Sequence, residues 1–380
     1  MRLMSDSIPA VYVDSTSMAR PSLTGVGRCV ARVVQALAKI RPIRLFSMAR
    51  LEDLRDHRLR TGIHQGVETE FGPWNLPVDT GDLHEWRDAV FSLPSRPFNK
   101  AAAVESIGIY TFRRSVERRF AREASIYFDL TACVVPETHE TVTRAEFSDL
   151  VERLIPLDDR LMAISRSTRD DLIRLGGVSA EKVEWCHLGP SQCIGRHAST
   201  GPVPDRDPNL FLAVSTIEPR KNPELLLEWF LTSPVLPDEA RLVWAGPKGW
   251  LTNHGSLPKA RGNRKIDWKG MVTDSELCRL HSSARCLVYP SLYEGFGFPV
   301  LDALLHGTPV ICSGNSSLLE FAGEGVHFVD PCDPASLDQG WVRCSSQVVP
   351  VDRPDLRQGC SWDRFAERLL GSLCDLGARP

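Results

Sequence analysis

The 380-residue chain has almost no charge of one sign to spare: 45 Lys and Arg stand against 48 Asp and Glu, a formal net charge of -3. No polycationic surface marks it as a nucleic-acid binder. Its eleven cysteines form no C-x-x-C pair. Several lie within apolar stretches, so they read as small buried hydrophobes in a reducing compartment, not as zinc ligands or disulfides. No apolar run approaches the roughly 20 residues of a membrane span. The opening Met1-Arg2-Leu3-Met4-Ser5-Asp6 lacks the apolar centre of a signal peptide, and the expectation is a cytoplasmic protein. Repeats and low-complexity tracts are absent as well. What remains is a chain 42% hydrophobic with 27 Gly and 27 Pro, long enough for two domains with full cores.

The most informative stretch is 289–314, which reads as a strand, a glycine loop, a short helix and a second strand. An apolar strand over 286–290 runs into Glu294-Gly295-Phe296-Gly297, where two missing Cβ atoms let backbone N–H groups come close to a ligand. The helix opens at Pro299, a first-turn proline, and closes at Gly307. Its N-terminus is an anion site, with Glu294 just before it and Asp302 one turn inside. Taken alone, the two acids read equally as a solvated loop residue and a helix-favouring aspartate.

Upstream, the apolar strand 209–216 leads through Ile217-Glu218-Pro219-Arg220-Lys221 into a helix opening at Asn222-Pro223. Arg offers a planar fork of donors and Lys a compact charge, a pairing suited to a diphosphate whose negative charge grows as its sugar leaves. The place of the pair, between strand end and helix start, is where ligands of open α/β sheets collect.

These motifs resemble those of the retaining glycosyltransferases of the family-4 type, which have two facing Rossmann-like doubly wound domains, the GT-B fold. The family signature is Glu-x7-Glu, and this chain carries Glu294-x7-Asp302, one methylene shorter. The resemblance implies that Glu294 contacts the donor sugar, with Gly295, Phe296, Gly297 and Phe298 around it, and that Asp302 contacts the ribose. Pro219-Arg220-Lys221-Asn222 matches the family's diphosphate clamp, which assigns Arg220 and Lys221 to the leaving group. Thr24-Gly25-Val26-Gly27 resembles a loop that borders the acceptor across from the diphosphate. Gly25 and Gly27 are therefore candidate backbone donors, or else small residues at a helix start.

A departure from the family lies at Tyr127-Phe128-Asp129-Leu130, where many members have His-Asp-Leu and the His contacts the sugar near C6. Phenylalanine cannot make that hydrogen bond, which favours a 6-deoxy donor of fucose or rhamnose type, with mannose competing. The alternative is that Phe128 is a core residue and His139 supplies the contact. Asp129 is the first-domain carboxylate expected on the acceptor side or in positioning, and with Glu294, Arg220 and Lys221 it completes the catalytic set. Arg113, Arg114, Arg118, Arg119 and Arg122 with Phe112 and Phe120 read as a solvated basic helix or as one resting on anionic lipid.

Strands alternate with helical patterns in two batches, which implies parallel sheets with right-handed crossovers. The first has strands at 10–15, 125–130, 160–165 and 182–188 and helices from Gly27 and over 166–175; no strand is assigned in 50–124. The second has strands at 209–216, 241–246, 265–270, 286–290, 309–313 and 325–329, and a capping-box helix start at Thr273. The domains are read as 1–190 for the acceptor, 205–360 for the nucleotide-sugar donor, and a closing helix over 361–380 that crosses back. No Asp-x-Asp pair lies near the pocket, so neither a metal nor a cofactor is expected, the nucleotide-diphosphate sugar being a substrate. The expected activity is hexosyl transfer with retention, from a GDP-linked donor to a saccharide or lipid-linked oligosaccharide in bacterial polysaccharide synthesis, with peripheral membrane contact. A nucleotide-sugar isomerase of the same fold and a non-catalytic partner subunit are the other readings.

Overall fold

Short apolar runs such as Val11-Tyr12-Val13 and Leu287-Val288-Tyr289 are buried on both faces, the pattern of strands inside a parallel sheet covered by helices. In the computed structural model, which describes residues 9–19, 25–48, 69–71, 83–91, 95–111, 113–191, 206–250, 258–346 and 352–374, they build two such sheets. The chain divides into two units. The first comprises Met1–Phe128, Ser148–Gly189 and Ser361–Pro380, and the second Asp129–Phe147 and Pro190–Cys360.

The first unit holds β1 (Val11–Asp14), β2 (Ile43–Ser47), β3 (Thr69–Phe71), β4 (Ser95–Pro97), β5 (Ile107–Tyr110), β6 (Arg122–Tyr127), β7 (Arg160–Ala163) and β8 (Val183–Trp185). Their order is β4-β3-β2-β1-β5-β6-β7-β8, parallel except that β3 runs antiparallel to both β2 and β4. Among helices of eight or more residues, α1 (Gly25–Ile40) turns Val30, Val33, Val34 and Leu37 inward, α2 spans Leu83–Phe91 and α4 Arg166–Leu175, whereas α3 (Thr141–Asp149) lies mostly in the part of the chain that belongs to the second unit. Ser165 caps α4 by accepting the amide of Thr168 at 3.0 Å.

The stretch 50–124, to which the sequence assigns no strand, supplies β3, β4 and β5. Two of these are three residues long and one contains Pro97, too little for a period to register. The arginine segment is also corrected. No helix runs through 113–121. Arg114 is buried between Glu123 and Asp158, Arg118 pairs with Asp159, Arg119 with Glu117, and Arg122 donates to the carbonyl of Leu373 at 3.0 Å. These guanidiniums are engaged within the protein, which removes the reasoning for a lipid-facing helix; Phe112 lies outside the described residues.

The second unit holds β9 (Asp207–Val214), α5 (Pro223–Thr232), β10 (Arg241–Ala245), β11 (Lys265–Gly270), α6 (Asp274–Ser283), β12 (Ala284–Tyr289), α7 (Phe298–Leu305), β13 (Val310–Ser313), β14 (Val326–Val329) and α8 (Pro334–Ser345). The six strands match those expected and are all parallel, in the order β11-β10-β9-β12-β13-β14. Phe211, Trp229, Phe230, Trp244 and Trp341 fill the core between sheet and helices. Thr273 caps α6 by accepting the amide of Glu276 at 3.2 Å, as the capping-box motif predicts.

The last helix, α9 (Trp362–Cys374), belongs to the first unit, as expected of a helix that crosses back. It packs on α1, and Arg160 donates to the carbonyl of Ser372 at 3.3 Å. The segment 129–147 departs from the contiguous 1–190 reading, because it groups with the second unit. The cysteines depart at one position. Nine are free among the described residues, but Cys278 is disulfide-bonded.

Candidate functional site

In the second sheet β9 and β12 are neighbours, and the crossovers leaving them run to opposite sides: β9 leads to β10 and β12 to β13. The crevice beyond their carboxyl ends is the switch point where open α/β sheets bind ligands. Two loops open there. The first follows β9, where Pro219–Lys221 form one 3₁₀ turn and Asn222 adopts a left-handed conformation, φ 56°, that starts α5. The Asn222 side-chain amide donates to the carbonyl of Pro331 at 2.7 Å, which offsets the strain of that conformation. The second loop runs from Pro290 to Gly297 and opens α7. The two are joined where the amide of Leu292 donates to the carbonyl of Arg220.

This backbone brings four charged side chains together. Glu294 Oε2 lies 2.8 Å from Arg220 Nη1 and Oε1 lies 2.5 Å from Lys221 Nζ. The other terminal nitrogen of Arg220, Nη2, lies 2.7 Å from Glu218 Oε1. Nη1 also donates to the carbonyl of Tyr293 at 2.9 Å, and Lys221 donates to the Tyr289 hydroxyl at 2.8 Å. Glu218 and Glu294 are buried, and among the described residues the Nε–H of Arg220 has no partner. Burial alone would push the Glu294 carboxyl up, but the charges of Arg220 and Lys221 outweigh it and hold it at about 2. Burial and the neighbouring guanidinium lower Lys221, whereas burial raises Glu218. Both cations are thus neutralised by carboxylates in a site with little water, where each charge counts for more than at a surface.

Ahead of α7 the glycine loop is tightly held. Gly297 has φ +102°, and a Cβ there would fall 2.6 Å from Leu318 Cδ2, so any larger residue is strained and displaces Leu318. The Ser317 hydroxyl lies 2.9 Å from the carbonyls of both Glu294 and Phe296. Gly295 is buried, and Phe296 packs edge-on against Phe298 and Phe321 with ring centres 4.9 and 5.5 Å away. Asp302 is buried in the second turn of α7, where its Oδ1 accepts the amide of Ser191 at 3.0 Å.

Asp129 and His139 lie in the segment that joins this unit from the first half of the chain. Asp129 Oδ1 accepts the amide of Thr131 at 3.0 Å and its hydroxyl at 2.7 Å, and that hydroxyl lies 3.1 Å from His139 Nε2. Burial, then the charge of Arg220, lowers the His139 pKa. Phe128 is half-buried and ends the first unit's run, and its carbonyl accepts the Thr168 hydroxyl at 3.4 Å. Gly25 and Gly27 lie at the start of α1 in the first unit.

Glu218 and Tyr289 join the cluster without being among the site residues expected from the sequence. A signal was there for Glu218, an acid two residues before the clamp arginine. Tyr289 ends an apolar strand, and nothing in its neighbours distinguishes it from a core aromatic.

Residues 200–341 match the family described as glycosyl transferases group 1. The chain is 29% identical over 234 residues to O-antigen chain mannosyltransferase B of Escherichia coli, a match over 57% of this chain and 59% of that protein. It spans less than two thirds of the length of the curated relatives it matches first. Among solved structures, sucrose-phosphate synthase from Thermosynechococcus elongatus aligns over 97% of this chain and 99% of its own, with TM-score 0.63 and 17% identity. WaaG, a glycosyltransferase involved in lipopolysaccharide biosynthesis, aligns over 97% and 98% with TM-score 0.56 and 15% identity. The architecture is GT-B: two Rossmann-like doubly wound units, with the last helix returned to the first.

Proposed function

We propose that the chain is a retaining glycosyltransferase of the family-4 type. In this reading it moves a hexose, mannose before fucose or rhamnose, from a GDP-linked donor to a saccharide or lipid-linked oligosaccharide in bacterial polysaccharide synthesis. The observation that carries this reading is the half-buried pair Arg220 and Lys221, held by the buried Glu294 at the switch point of an open parallel sheet. The similarity to a protein named as an O-antigen mannosyltransferase supports both the transfer reaction and mannose. His139, buried and subject to the Arg220 charge, offers the polar contact to the sugar that Phe128 cannot make.

Cleavage of the bond between the anomeric carbon and the diphosphate oxygen puts negative charge on the leaving group, and pre-placed cations stabilise that charge without reorganisation. Arg220 and Lys221 take that role, aided by the N-terminus of α7 at Phe298. Glu294 turns to the sugar hydroxyls, the Gly295-Phe296-Gly297 backbone lines the donor, and Asp302 meets the ribose. Gly25, Gly27 and Asp129 serve the acceptor side. The departing phosphate takes the acceptor proton on the face it leaves, which retains configuration, and no metal or cofactor takes part.

Melting in the presence of GDP-mannose, GDP-fucose, UDP-glucose and dTDP-rhamnose, each with and without EDTA, tests the donor. A ligand at 100 times its Kd adds about 2.7 kcal/mol to the folded state. GDP-mannose is expected to raise Tm most, with EDTA making no difference, and NMR of the product should show the donor's anomeric configuration. If no nucleotide sugar raises Tm, the proposal fails.

A further inference from the structure

The two carboxylates of the cluster hold the cations in different ways. Glu294 grips both, one oxygen on each, whereas Glu218 grips Arg220 alone. Glu218 also belongs to the turn that carries the cations: its carbonyl accepts the amide of Lys221 at 3.0 Å, and its side chain reaches two residues along to Arg220 Nη2. Glu294 arrives on a separate loop, beyond β12. A carboxylate built into the cations' own turn keeps its place beside Arg220 when the neighbouring loop shifts. One on the neighbouring loop changes partner by rotating its side chain.

Two positive charges already balanced by two carboxylates offer a diphosphate little net attraction. For the anion to be held, one carboxylate must let go. The unpartnered Nε–H of Arg220 supplies a further donor for it without disturbing either terminal nitrogen. We infer that Glu294 is the carboxylate that exchanges and Glu218 the one that stays. Glu218 is thus a positioning residue: it keeps the Arg220 fork in place and leaves the engaged clamp with one net positive charge instead of two. The inference rests on the nucleotide-sugar reading above and adds a consequence to it. A clamp with two uncompensated cations would hold the nucleoside diphosphate product as firmly as the transition state, and binding that does not discriminate between them slows turnover. Glu218 trades some product affinity for release.

Glu218→Gln keeps an oxygen that accepts from Nη2 and removes only the charge, while Glu218→Ala removes both. Calorimetric titration of the full chain with GDP, UDP and inorganic pyrophosphate, beside steady-state turnover of the donor, separates the two effects. Glu218→Gln is expected to bind the preferred diphosphate about ten-fold more tightly than wild type, the lower end of what one close charge contributes. Both kcat and the donor KM should fall. Glu218→Ala is expected to lose kcat and raise KM, because Arg220 loses its anchor. Unchanged or weaker binding by Glu218→Gln overturns the inference. If both Glu218 variants fail to fold, Glu218→Asp keeps the charge and shortens the reach. It should keep wild-type pyrophosphate affinity with reduced kcat, and a gain in affinity there refutes the charge argument. A wild type that binds none of the three probes sinks the nucleotide-sugar reading and this inference together.

Discussion

The amide of Leu292 donates to the carbonyl of Arg220 at 2.8 Å, so the loop after β12 is fastened to the turn after β9 beside the clamp. That bond joins residues 72 positions apart and sets Glu294 within reach of both cations.

Lys221 is half-buried and gives its charge to Glu294 and to the Tyr289 hydroxyl. Lys221→Met keeps most of the volume and removes the charge. Loss of one pre-placed group that stabilises a transition-state anion costs about 10²–10³ in kcat. Initial rates at saturating donor should show that loss, and a variant within three-fold of wild type, on the order of measurement scatter against such a fall, would remove Lys221 from the leaving-group site.

The Glu294 carboxyl is held at about 2 against an ordinary value of 4.5, so the folded protein binds fewer protons than the unfolded chain between these values. Stability from this group is fully present above the unfolded value and is lost as pH falls from 4.5 towards 2. Glu294→Gln should therefore show a shallower acid-side loss than wild type when urea unfolding is followed across that window. Parallel curves would mean that the cluster does not hold this carboxylate ionised.

Gly297 sits at φ +102° with Leu318 where a Cβ would go. Gly297→Ala should cost about 1–3 kcal/mol in a chemical denaturation curve, from backbone strain and displaced packing. It should also raise the donor KM, because the loop ahead of α7 can no longer close in the same way. A neutral substitution would show that the loop has slack.

Arg114 lies between the buried carboxylates of Glu123 and Asp158, with the Tyr127 hydroxyl on Asp158 at 2.7 Å. Truncating it leaves two buried acids without a cation. Arg114→Ala should destabilise the first unit by about 3–5 kcal/mol, the usual result of breaking a buried pair from one side. Substitution of Arg118, whose side chain is half exposed, should cost less than about 1 kcal/mol. Equal effects would return the arginines to a solvated role.

Much of the second unit was legible along the chain. Long apolar strands with glycine and proline at their borders fall at 207–214, 241–245 and 284–289, close to where periodicity places them. In the first unit the helix over 166–175 lies where the sequence places it, and Ser165 caps it. The 50–124 stretch was not legible, since its strands are three or four residues long and take their stability from neighbours in the sheet. The arginine segment misled for a related reason. Spacing shows that charges cluster, but it does not show that Glu123 and Asp158 arrive from β6 and the turn before β7 to meet them.

From the sequence alone came the pieces with local causes: the parallel-sheet class, the glycine loop with its following helix, and Arg220-Lys221 at a strand end. These depend on backbone preference and on period, which act over a few residues. Tertiary structure decided which of the pieces meet. It set Glu294 against both cations, gave Glu218 to Arg220, and grouped Asp129 and His139 with the second unit. Such pairings depend on strand order in a folded sheet, where residues far apart along the chain become neighbours only after the crossovers have closed.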